Sequence, residues 1–95
     1  MSKKDKLRLK LRNHPKGRTQ QEVHTLLVSF GFELDKITGS HHSYIFSDGL
    51  VRQRIIIPIH RNQVKTEYVK DVIELIDKVS PPLVEETDDE SNDED

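Results

Sequence analysis

The apolar residues between Thr19 and Ser80 change period twice, and that pattern limits the fold more than any other feature of the chain. Val23, Leu26, Leu27 and Phe30 recur at helical spacing, the repeat shortens to two over residues 32–59, and Val69, Val72, Ile73, Ile76 and Val79 return to a helical stripe. Thr19-Gln20-Gln21-Glu22 is a capping-box sequence: the Thr19 hydroxyl can accept from the Glu22 amide while the Glu22 carboxylate reaches back. Gly31 stands where a left-handed C-terminal cap is wanted, so a helix is predicted over residues 20–30. Thr66 is predicted to cap a second helix, and Pro81-Pro82 must end it because consecutive prolines remove two backbone donors.

The middle segment divides into three strands. Phe32-Glu33-Leu34-Asp35-Lys36-Ile37 begins the alternation, Thr38-Gly39-Ser40 supplies turn chemistry, and a second extended run follows over residues 41–47. Asp48-Gly49 is a hairpin signal, after which residues 50–59 form a third strand with Val51, Ile55, Ile57 and Ile59 on one face and Arg52, Arg54 and Ile56 on the other. Pro58 cannot donate to a ladder, so this strand stops there or lies at an edge. The predicted class is α+β: an α-β-β-β-α order in which both helices cover one face of a three-stranded antiparallel sheet. The opposite face is left to solvent or a ligand. A body of this size buries only about 60% of its unfolded surface, so modest stability and a partner or homodimer are expected.

Composition narrows the function. The chain has 95 residues, of which 33% are hydrophobic and 34% charged, and no run approaches the roughly 20 apolar residues of a membrane span. The basic start Met1-Ser2-Lys3-Lys4-Asp5-Lys6 is not followed by an apolar stretch, so no secretory signal and a cytoplasmic location are expected. With no cysteine there is no disulfide framework, thiolate metal site or thiol catalysis.

The net charge of -2 hides an asymmetry. Residues 1–18 hold eight Lys/Arg against Asp5 alone, whereas residues 85–95 hold eight acids and no base. Such asymmetry favours a polyanionic partner, although two solvated ends would give the same count. Leu7, Leu9 and Leu11 alternate with basic residues as in a strand, but His14-Pro15-Lys16-Gly17 breaks the run. Residues 1–18 are therefore expected to form a flexible basic arm, residues 19–80 the folded domain, and residues 81–95 a disordered acidic tail, which a short tether could fold over a basic surface.

The residues able to do chemistry gather at strand ends. In Gly39-Ser40-His41-His42-Ser43-Tyr44 the two histidines must point to opposite faces. His42 shares parity with Tyr44 and Phe46 and is assigned to the helix side, whereas His41 shares parity with Ser43, Ile45 and Ser47 and is assigned to the open side. Imidazole titrates near neutrality and can act as general base or acid, although a structural histidine beside an exposed one would satisfy the same pattern. Adjacent strand histidines cannot chelate one metal together, so a metal site would need His60 and a carboxylate brought in by the fold. Gly39 and Ser40 let the backbone approach a phosphate closely. Arg52, Arg54, Arg61 and Lys65 could form an electropositive surface nearby, or merely a solvated one.

Over about residues 22–77 this combination resembles the HicA family of small toxins from bacterial toxin–antitoxin systems. The residues that carry the likeness are Leu26-Leu27 leading to Phe30-Gly31-Phe32, then Gly39-Ser40-His41-His42, Asp48-Gly49, Ile57-Pro58-Ile59-His60 and the final helix. The resemblance implies a double-stranded-RNA-binding-like fold and an mRNA interferase, an endoribonuclease that needs no metal or other cofactor. It implies a histidine of the Gly-Ser-x-x motif as the catalytic residue, here His41 or His42, with His41 favoured by parity. It also implies neutralisation by a HicB-type antitoxin protein. A non-catalytic RNA-binding module on the same fold would use the same basic face, with the histidines only contacting phosphate.

Overall fold

A computed structural model describes residues 2–82, and the acidic tail expected beyond Pro82 lies outside the described residues. Three helices, α1 (Lys3–Asn13), α2 (Gln20–Ser29) and α3 (Thr66–Val79), accompany a three-stranded antiparallel sheet of β2 (Glu33–Thr38), β3 (His41–Ser47) and β4 (Arg52–Pro58), with β3 central. A two-residue ribbon pairs β1 (Arg18–Thr19) with β5 (Gln63–Val64). From α2 to α3 the order around the main sheet is the expected α-β-β-β-α.

Local chemistry fixes α2 at both ends. The Thr19 hydroxyl accepts from the Glu22 amide, and the Glu22 carboxylate accepts from the Thr19 amide at 2.9 Å, completing the capping box. That bond, with help from Lys10 and Arg18, holds the Glu22 carboxyl below its usual range against the opposing effect of burial. At the other end the Phe32 amide reaches the Leu27 carbonyl and the Gly31 amide the Val28 carbonyl, a Schellman closure with Gly31 at φ +95°. A side chain at Gly31 would also meet the Phe46 ring at 3.1 Å, so conformation and space both demand glycine.

The N-terminal segment departs from expectation. It is a docked helix, with Leu11 fully buried and Arg8 nearly so. Alternation of Leu7, Leu9 and Leu11 suggested a strand or a loose arm, but Leu7 and Leu11 are also four residues apart and share one helical face. Leu9, which a half-buried strand would have covered, remains exposed. Ser2 caps the helix by accepting from the Asp5 amide. Arg12 forms a two-pronged pair with Asp77 of α3 at 2.7 and 2.9 Å, which raises the Arg12 pKa. Arg8 donates to the Ser80 carbonyl and sits over the Phe30 ring, 4.6 Å from its centre. Much of the basic N-terminal charge is thus spent on helix contacts.

Other boundaries shift by one or two residues. Lys65, with no side-chain cap bond, occupies the N-cap of α3, and Thr66 is already helical. The helix ends at Val79, immediately before Ser80 and the two prolines. The third strand starts at Arg52 because Asp48 accepts from the Leu50 and Val51 amides at 3.0 and 2.7 Å, folding those residues into the turn.

Candidate functional site

The two histidines of Gly39-Ser40-His41-His42 part as side-chain alternation requires. His42 is buried on the helix side, its Nδ1 3.5 Å from Gln20 Nε2 of α2. Tyr44, next on that side, lies 2.6 Å from His24 Nδ1, and burial pushes its hydroxyl pKa up. Phe46, beyond it, stacks tilted against Phe32. His41, Ser43 and Ile45 therefore face away from the helices, and His41 is exposed at the strand's first position.

A tight turn presents His41. Thr38 pairs with His41, leaving Gly39 and Ser40 as a two-residue loop, with Gly39 at φ +60° in the pattern of a type II′ turn. A Cβ at Gly39 would meet nothing within 4 Å, so the space in front of the turn is open. On the other side His41 pairs with Pro58, and the Ile59 amide donates to the Ser40 carbonyl at 2.7 Å. This continuation brings His60 to the Gly39-Ser40 turn.

His60 begins another sharp turn. His60 and Gln63 exchange backbone hydrogen bonds at 3.0 and 2.9 Å, with Arg61 and Asn62 both left-handed at φ 52° and 65°. These are the signs of a type I′ turn, which favours Asn or Gly at its first central position. Arginine there is strained, and the Asn62 carbonyl, accepting from the Gln20 amide, ties the turn to α2. Arg61→Asn is expected to raise the stability by about 0.5–1 kcal/mol, seen as a higher thermal midpoint.

The predicted cations do not converge on one point. Arg54 pairs with Ile45 and Arg52 with Ser47, four and six residues along β3 from His41, or about 14 and 20 Å. Arg54 also faces Asp35 at 3.6 Å, an exposed pair that leaves it accessible. Arg61 and Lys65 lie beyond β4 on the other side of His60. Sequence reading missed two nearer residues. Lys36 pairs with Ser43, and Ser43 Oγ is buried without a hydrogen-bond partner among the described residues. Cross-strand register, rather than any motif, reveals both. A metal site built on His60 and a carboxylate finds no support, since no group of three His, Asp or Glu suited to a metal occurs among the described residues. Nor is any helix among them long and apolar enough to cross a membrane.

The site thus has an exposed imidazole, an open glycine turn and a second imidazole, on a sheet face whose far end is basic. Comparison with curated proteins gives no match, and comparison with solved structures gives none. The family model described as HicA toxin of bacterial toxin–antitoxin systems matches residues 21–77, a span from the first turn of α2 to near the end of α3 that contains the whole main sheet and the Gly39-Ser40-His41-His42 turn. The chain belongs to the HicA toxin family.

Proposed function

We propose that this toxin is an endoribonuclease that cuts mRNA with His41 as general base. The observation carrying this reading is the split of the histidine pair: His41 is exposed beside an open glycine turn, whereas His42 is buried against α2. Imidazole at His41 would take the proton from a ribose 2′-hydroxyl, and the 2′-oxygen would attack the adjacent phosphorus. The bond from phosphorus to the 5′-oxygen then breaks, leaving a 2′,3′-cyclic phosphate and a 5′-hydroxyl. His60, two residues beyond the strand partner of His41, would return a proton to the departing oxygen. Backbone amides of Gly39 and Ser40 would stabilise charge on the phosphoryl oxygens, while Arg52, Arg54, Arg61 and Lys65 hold flanking phosphates.

No step in this scheme calls for a metal. The α-β-β-β-α layout fits a double-stranded-RNA-binding-like fold, and a cytoplasmic mRNA target fits the open basic face. Membership of a toxin–antitoxin family implies an antitoxin. In this reading it is a HicB-type protein that covers the His41 face.

Incubating the full chain with a long single-stranded RNA in EDTA tests the proposal. Fragments ending in 2′,3′-cyclic phosphate are expected, with DNA of the same sequence left intact because it lacks the attacking hydroxyl. RNA that is bound but never cut would replace the enzyme with a binding module.

A further inference from the structure

We propose that a cleft next to His60 is a second phosphate-binding subsite for the RNA strand, held by Lys16 and Lys65. The proposal rests on the ribonuclease reading and deepens it by giving one flanking phosphate a defined cleft and a new ligand, Lys16. The cleft has a volume of about 460 Å³. Lys16, Gly17, His60, Gln63, Lys65 and Glu67 are among the residues that line it.

The β1–β5 ribbon builds the cleft. Arg18 pairs with Val64 and Thr19 with Gln63, so the preceding Lys16-Gly17 is carried to the level of Lys65-Thr66. Gly17, at φ +76°, makes the bend that brings Lys16 round from α1. Two lysines distant in sequence therefore line one concavity, with His60 joining them and Glu67 as the acid on its wall. Their partners elsewhere in the fold are telling. Arg8, Lys10, Arg12, Arg18 and Arg54 have carboxylate partners, whereas Lys16 and Lys65, like the other lysines of the described residues apart from Lys10, have none among them. Cations gathered in a concavity without paired acids focus a positive potential there and attract a polyanion.

His60 also supplies the continuity that a strand of RNA needs. It lines the cleft, and the hydrogen bond from the Ile59 amide to the Ser40 carbonyl joins its segment to the turn that presents His41. A strand with one phosphate at the Gly39-Ser40 turn meets the cleft as it passes over His60. Lys16 precedes the residues matched by the family model, so this wall of the cleft is supplied from outside the matched span.

The test uses the full chain and a short single-stranded RNA whose 2′-oxygens are all methylated, which can bind but cannot be cut. Affinity is measured by fluorescence anisotropy across a salt series. Lys16→Gln with Lys65→Gln is expected to weaken binding about tenfold and to flatten the plot of log affinity against log salt by about 1.4, roughly 0.7 for each lost phosphate contact on a single strand. Lys70→Gln with Lys78→Gln, exposed on α3, removes the same charge elsewhere and is expected to leave the slope unchanged. If the cleft pair matches the α3 pair in both slope and affinity while the wild type binds, the subsite is wrong and the RNA reading stands. If the wild type does not bind the methylated strand at all, the subsite and the RNA reading fall together.

Discussion

His41→Ala is expected to slow RNA cleavage by about 10²- to 10⁴-fold, the usual contribution of a positioned general base. The loss should appear in kcat with KM little changed, because the imidazole acts on the proton that moves in the transition state and other groups hold the phosphates. The thermal midpoint should barely move, since His41 is exposed and exposed substitutions normally change stability by less than about 0.5 kcal/mol. His42→Ala should show the opposite profile. Its side chain is buried between Ile37 and Ile57 in the sheet register and touches Gln20, so truncation leaves a void and an unpaired amide. A cost of about 1–3 kcal/mol is expected for such a loss, with cleavage by the folded fraction largely retained. Cleavage lost in His42→Ala at unchanged stability, with His41→Ala fully active, would reverse the assignment.

The histidine assignment shows which parts of the fold were legible in the sequence. Alternation along a strand is rigid, so parity with Tyr44 and Phe46 was enough to send His42 to the helices and His41 to the open face. The ends of α2 were legible for a similar reason, because the capping box and Gly31 closure each involve residues within five positions of one another. The spread of the cations was harder to read. Arg52 and Arg54 share a face with His41, but their distance from it follows from the β3–β4 register, which the turn at residues 48–51 sets. The β1–β5 ribbon left no sequence signal, since two-residue strands have no period to detect. With it went the cleft and the part played by Lys16, which depend on a pairing between distant residues.

Leu11→Ala is expected to be among the most destabilising single changes in the chain, although it lies outside the span matched by the family model. Leu11 is 0% exposed and belongs to the same core as Val72, Ile73 and Ile76 of α3. Removing a fully buried leucine side chain costs about 2–5 kcal/mol, which at about 4–8 °C per kcal/mol for a domain of this size lowers the thermal midpoint by at least about 8 °C. Leu9→Ala, one exposed position of the same helix, should cost under about 0.5 kcal/mol. A flexible arm would make the two substitutions equivalent. The contrast therefore measures whether α1 is part of the folded unit. It also has a functional edge, because α1 leads through Gly17 into β1 and thus sets Lys16 opposite Lys65. Loosening α1 would release that wall of the cleft while leaving the β3–β4 hairpin and His41 in place. Below its lowered midpoint, Leu11→Ala should lose RNA affinity before it loses the ability to cut.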